Sequence, residues 1–184
     1  VLILAEPLAR ISTHYRADTR KVGGSLFRIH RDVRFSHNKL PYKPWAGARL
    51  YHERRREIAA PSFYIHIQPG QCFLGGGLWH PENHTLRNIR NFMVDNPAAW
   101  KRATRNPTFR RHLDMWGDSL KRHPRGFDPK HELIDDLRRK SLAAGEAISD
   151  DFACSDRLQP HIVTTMKRLA PMLDYLCAAQ NLEF

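Results

Sequence analysis

The sequence lacks any long apolar run: no window approaches the roughly 18 uninterrupted apolar residues of a membrane span. The opening VLILAEPLA is a short apolar stretch with no basic segment before it, unlike a secretory leader. Membrane insertion and secretion are therefore not expected. Cysteine is scarce. Cys72, Cys154 and Cys177 are odd in number, widely spaced and outside any C-x-x-C pair, which excludes a disulfide framework and a structural zinc knot. A reducing cytoplasm is the expected compartment. Acidic residues are also few, 19 against 30 lysines and arginines, for a net charge of +11. Such a field draws in polyanions whatever the fold, so nucleic acid is an expected class of partner. Trp45, Tyr51, Tyr64 and Trp79 would stack on bases if exposed. No helix-turn-helix, zinc-finger or RNA-recognition signature accompanies the charge. The clusters Arg54-Arg55-Arg56, Arg110-Arg111 and Arg138-Arg139-Lys140 read as solvated surface.

What is present suits one core. A chain of 184 residues with 41% hydrophobic content is expected to form a single domain over 1–184. Leu2, Leu4, Leu8, Ile11 and Tyr15 fall near a 3.6-residue period and predict a helix over 1–18. After Gly23-Gly24 the period changes to two, with Phe27, Ile29, Arg31, Val33 and Phe35 on one side and Arg28, His30, Asp32 and Arg34 on the other, which predicts a strand. A second strand is expected over Ala46 to Tyr51. The clearest runs from Ser62 to Gln68, closed by Pro69-Gly70 and followed by its hairpin partner, Cys72 to Trp79. The Gly75-Gly76-Gly77 triplet inside that partner marks a bulge, or a place where a ligand or another backbone comes close. Helices are expected over Pro81 to Asp95, Pro97 to Arg105, Pro107 to Trp116 and Lys130 to Lys140. A last strand follows over Ser141 to Ile148, then a long closing helix, Ser155 to Gln180, interrupted near Pro171. This is an α+β pattern: a mostly antiparallel central sheet packed with several helices.

Alternation places Arg28, Asp32 and Arg34 on one strand face and Tyr64, His66 and Gln68 on another. If the faces coincide, they form a polar floor suited to an anion, because guanidinium forks pair with phosphate or carboxylate and an aspartate between them limits their repulsion. Lys39, Tyr42 and Lys43 would add donors at its rim. Arg31 falls on the opposite side by simple alternation and joins only through a bulge or twist. The competing reading is an exposed charge ladder of little energetic consequence. His66, with a reference pKa nearest neutrality, is the candidate proton carrier, with Asp32 beside it. His80 and His84 straddle Pro81, so no metal site is expected, and no cofactor is implied. Cys72 near His66, and Ser36 near His37, do not by spacing make a triad.

The run Arg28-Ile-His-Arg31-Asp32-Val-Arg34-Phe35, followed by Lys39 and Tyr42-Lys43, resembles the signature Arg-x-x-Arg-Asp-x-Arg-Phe-x-x-x-Lys-x-x-Tyr of domain-of-unknown-function family 2461. Phe63-Tyr64-Ile-His66-Ile-Gln-Pro69-Gly70 and Phe73-Leu74-Gly75-Gly76-Gly77-Leu-Trp79-x-Pro81 resemble that family's strand, turn and glycine-rich return. Pro97-Ala-Ala-Trp100, Ser119 to Phe127 and Leu133 to Ser141 extend the likeness, which spans roughly Gly23 to the end. The resemblance implies a mostly bacterial family with no established activity. It also implies a helical N-terminal section, rich in asparagine and aromatic residues, that would precede Val1. The expected function is binding of a small phosphate- or carboxylate-bearing molecule at Arg28, Arg31, Asp32, Arg34, Lys39, Tyr42, Lys43, Tyr64 and His66, with or without catalysis. The alternative is a non-catalytic nucleic-acid binder.

Overall fold

The computed structural model describes residues 1–31, 34 and 39–184. Its centre is an antiparallel sheet of six strands in the order β1-β2-β3-β4-β6-β5. The strands are β1 (Tyr15–Arg16), β2 (Ala46–His52), β3 (Ser62–Ile67), β4 (Cys72–Leu78), β5 (Asp114–Trp116) and β6 (Leu142–Ile148). Helices α1 (Ala5–Ala9), α2 (Asn83–Asp95), α3 (Pro97–Thr104), α4 (Pro107–His112), α5 (Ile134–Leu137), α6 (Asp150–Ala153) and α7 (Leu158–Ala178) complete the fold.

The register sorts the side chains into two faces. Leu50 opposes Phe63, Phe63 opposes Gly76, and Gly76 opposes Ala144. This face carries the core and is covered by α7, whose Ile162, Thr165, Met166, Leu169, Leu173 and Leu176 are buried at helical spacing. Close approach is why Gly76 has no side chain: a Cβ there would lie 3.2 Å from Leu173 and 3.4 Å from Leu169. On the same face Glu146 accepts from Thr165 and pairs with His161 at 3.1 Å. Deeper in the helical layer Trp100 is fully buried, 5.1 Å from the ring of Tyr175. The Tyr175 hydroxyl donates to the carbonyls of Phe92 and Asn96, which ties α7 to the end of α2.

Five local expectations are corrected. The N-terminal helix stops at Ala9. Tyr15 joins the sheet instead, because its ring is buried and its hydroxyl donates to the Pro61 carbonyl at 3.0 Å. Of the strand expected from Leu26, the described residues make only isolated bridges, Leu26 to Ala48 and His30 to Tyr42. Phe27 N–H donates to the Gly47 carbonyl and Lys43 N–H to the Ile29 carbonyl, so the chain follows the edge of β2 briefly and then doubles back on itself. The helix predicted to reach Trp116 ends at His112, and its last residues form the edge strand β5 against β6. Helix α7 continues through Pro171. That proline is exposed, as is Lys167 one turn earlier, so the carbonyl freed by the missing N–H faces water. The helix expected over Lys130 to Lys140 is confined to α5.

Three buried weak acids give the fold an alkaline limit. Burial pushes the Cys177 thiol up to about 11, and pushes the phenols of Tyr15 and Tyr175 well above their ordinary value. Tyr15 and Cys177 lie 3.6 Å apart. Each group binds its proton more tightly folded than unfolded. The thiol's contribution is therefore complete below its unfolded value of about 8.5 and is lost as pH rises through about 11, while that of the phenols begins to fall only above their ordinary value of about 10. The urea midpoint is expected to fall over that window, with Cys177→Val removing part of the fall. A midpoint independent of pH across it would contradict this account.

Candidate functional site

The opposite face of the sheet is left largely open, and a cavity of about 860 Å³ lies over its centre. Its floor is nearly free of side chains. Gly75 opposes Gly145, and Gly77 opposes Ala143, so the middle of β4 and β6 carries almost no side chain of its own. Trp116 of β5 lies across this floor: a Cβ on Gly75 would sit 2.6 Å from its ring and one on Gly145 2.2 Å. The glycine-rich pattern is thus explained by packing of a tryptophan as well as by access to the backbone.

β3 and its neighbours build the wall. Tyr64 and His66 project from alternate positions of β3, with Arg49 on β2 opposite Tyr64 and Phe73 on β4 opposite His66. His66 stacks on Phe73 with ring centres 4.6 Å apart and planes at 14°. Trp45 covers its other side at 5.1 Å, and Phe27 meets Tyr64 edge-on at 5.9 Å. The polar groups form a directed chain. Gln68 Nε2 donates to Gln71 Oε1 at 3.1 Å, which leaves Gln68 Oε1 as an acceptor 3.3 Å from His66 Nε2. Neutral His66 then carries its proton on Nε2, and its Nδ1 accepts from the Tyr64 hydroxyl at 3.2 Å. Burial raises the Tyr64 phenol above its ordinary value, so that hydroxyl keeps its proton.

Arg49 is the cation of this wall. Its Nε is buried without a hydrogen-bond partner, and among the described residues no carboxylate pairs with it. Burial, and next the nearby charge of Arg55, lower its guanidinium from the ordinary value. A half-buried guanidinium left without an acid is costly, and here the residue lines a cavity. Behind it lies a smaller hollow of about 380 Å³, lined by Gly23, Gly24, Ser25, Phe27, Arg49, Arg55 and Arg56. Phe27 and Arg49 line both spaces.

Of the residues singled out in the sequence, Tyr64 and His66 line the large cavity. Lys43 is not among its lining residues; its ammonium lies 4.5 Å from the Trp45 ring centre and 5.7 Å from that of Phe27, which does line the cavity. Arg28, Arg34, Lys39 and Tyr42 are exposed and Arg31 half-buried on the excursion between Phe27 and Lys43, and they are not among the cavity's lining residues. Asp32 lies outside the described residues, as do Ser36 and His37. Tyr51, considered as a stacking platform, is buried beneath the Arg55 guanidinium at 3.2 Å, whereas Trp79 is 61% exposed at the cavity mouth. Among the described residues no group of His, Cys, Asp and Glu is arranged to hold a metal ion, and no helix is long and apolar enough to cross a membrane. Sequence reasoning passed over Arg49. The available signal was its place between Ala48 and Leu50, a charge on the non-core register of an otherwise uncharged strand.

These features define an α+β protein with an antiparallel sheet covered on one face and hollowed on the other. The chain belongs to the family described as conserved hypothetical protein (DUF2461), whose profile matches residues 1–175. The match takes in residues 1–22, ahead of the motifs in which the likeness is legible. No curated protein and no solved structure matches the chain.

Proposed function

We propose that this protein binds a small organic anion with a flat apolar body. The body lies over Gly77, beside Trp116 and the Phe73–His66 stack, and the anionic group faces Arg49. The observation that carries this reading is Arg49: a half-buried guanidinium that pairs with no carboxylate among the described residues and lines the same cavity as the rings of Phe27, Tyr64, His66, Phe73, Trp79 and Trp116. A cavity of about 860 Å³ falls in the range that takes small molecules. In this reading Tyr64 and His66 form a hydrogen-bonding pair that orients the ligand, and Lys43 is a positive charge at the rim. Arg28, Arg31, Arg34 and Lys39 steer the anion from the excursion; Tyr42 and Asp32 carry no assigned role.

The test is calorimetric titration with 2-naphthoate and with its uncharged counterpart 2-naphthalenemethanol. Saturable binding of the carboxylate, at least about tenfold tighter than the alcohol, is expected for a charge-assisted contact. Equal affinity for the two would remove Arg49 from the account.

The alternative, nucleic acid held across a broad basic surface, is less favoured because much of the clustered charge is already engaged. Arg54 pairs with Glu57, Arg105 and Arg139 with Asp136, and Arg138 donates to the carbonyls of Leu120 and Lys121. Salt separates the readings. One small anion predicts a shallow dependence of affinity on salt, whereas an oligonucleotide predicts a log–log slope of about −0.9 per phosphate neutralised. A steep slope with mixed-sequence oligonucleotides, together with no naphthoate binding, would favour the alternative.

A further inference from the structure

The smaller hollow sharpens the class of ligand, and the argument rests on reading the large cavity as a ligand site. Three guanidiniums, those of Arg49, Arg55 and Arg56, line it, and among the described residues no carboxylate is paired with any of them. Each has a different standing. Arg55 is fixed: it lies over the Tyr51 ring and donates to the Gly23 carbonyl. Arg56 is exposed and adjoins Gly23, where a Cβ would lie 3.7 Å from its guanidinium. Arg49 is half-buried with its Nε unfilled.

The opposing wall is backbone. Ser25 N–H donates to the Asp18 carbonyl while its hydroxyl accepts from Asp18 N–H at 2.9 Å. Gly24 is packed so tightly that a Cβ would meet the Arg20 carbonyl at 2.1 Å. The nearest acid of this loop is spent. Asp18 pairs with Arg20 and accepts from the Tyr51 hydroxyl, contacts that hold its carboxyl well below the usual carboxylate range. So the loop is braced, and its acid faces its own partners.

A carboxylate has one charge and one planar edge, and Arg49 alone suffices for it. Three unneutralised guanidiniums around one small space suit a group with two negative charges and three acceptor oxygens. We infer that the ligand is a phosphate ester of an aromatic or heteroaromatic compound: its ring lies in the large cavity, and its phosphate passes Arg49 into the hollow made by Arg55, Arg56 and the Gly23–Gly24 turn. Phe27, which lines both spaces, packs against the link between ring and phosphate. The charged cluster Arg54-Arg55-Arg56, which reads in the sequence as solvated surface, thereby contributes two of its three members to a site.

The test compares 1-naphthyl phosphate with 2-naphthoate by calorimetry at pH 8, where the phosphate is dianionic. The phosphate is expected to bind at least about tenfold tighter than the carboxylate. Arg56→Gln is the clean variant, since the side chain is exposed and supports no other element; it should weaken the phosphate about tenfold and leave the carboxylate within about twofold. Arg56→Lys should restore part of the loss. Equal affinity for the two probes, or an Arg56→Gln variant that weakens both alike, would overturn the phosphate assignment while leaving the large-cavity reading intact. Failure of both probes to bind would overturn both.

Discussion

Arg49→Met is expected to weaken 2-naphthoate binding by about 10- to 100-fold while leaving the melting temperature unchanged or higher. The first half follows from removing the donor that meets the anion, since a hydrogen bond to a charged group contributes about 1.5–3 kcal/mol. The second follows from the free protein, where the guanidinium is half-buried, has an unfilled Nε and pairs with no carboxylate among the described residues. Methionine keeps the length and apolar contact of the stem and removes an uncompensated charge. A residue that costs stability and is nonetheless present fits a binding role better than a structural one. Arg49→Lys keeps the charge without the planar fork and should fall between the two. A melting temperature lowered by several degrees in Arg49→Met would instead make this arginine part of the scaffold.

The second large effect concerns the floor. Gly77→Ala is expected to cost about 2–5 kcal/mol, from left-handed backbone strain combined with overpacking. Gly77 has φ +126°, and a Cβ there would lie 2.1 Å from the Leu142 carbonyl oxygen and 2.7 Å from the Ala143 Cα. Both obstacles are backbone atoms of the neighbouring strand β6, so relief requires moving the β4–β6 ladder itself. At about 2–4 °C per kcal/mol for a chain of this size, the melting temperature should drop by roughly 4–20 °C. Gly70→Ala is the contrast. It also has a positive φ, +74°, but nothing lies within 4 Å of its Cβ position, so only strain of about 1 kcal/mol is expected. Equal losses at the two positions would remove the close-approach argument and leave conformation alone.

Much of the sheet was legible because its period is simple. Alternation in Ser62 to Gln68 sends Phe63 and Ile65 to the core and Tyr64 and His66 to the other face, and the register bears this out. Prolines correctly opened α3 and α4. Where the reading failed, the deciding contacts were distant in sequence. Tyr15 reads as part of a helical stripe, yet the carbonyl it seeks belongs to Pro61. Trp116 reads as the end of a helix, yet its ring has its place on Gly75 and Gly145. The alternating residues after Leu26 look like a strand, but the described ones find no continuous partner beyond Ala48 and Tyr42.

The candidate site was half legible for a related reason. A period of two assigns residues to faces; it does not say which face receives a helix. The sequence therefore offered Tyr64 and His66, and its densest basic motif drew attention to Arg28, Arg31 and Arg34. The cation that lines the cavity is a single arginine in a plain strand. Its importance depends on the absence, among the described residues, of a helix over that face and of an acid beside it, and neither follows from local pattern.

The central claim is that the hollow face of the sheet is a ligand site whose charge is Arg49. A crystal structure of the protein soaked with 2-naphthoate tests it most directly. The account predicts the naphthalene ring over Gly77, beside Trp116 and Phe73, with a carboxylate oxygen within hydrogen-bonding distance of the Arg49 guanidinium. A naphthoate bound elsewhere, with this cavity filled by water alone, would contradict it.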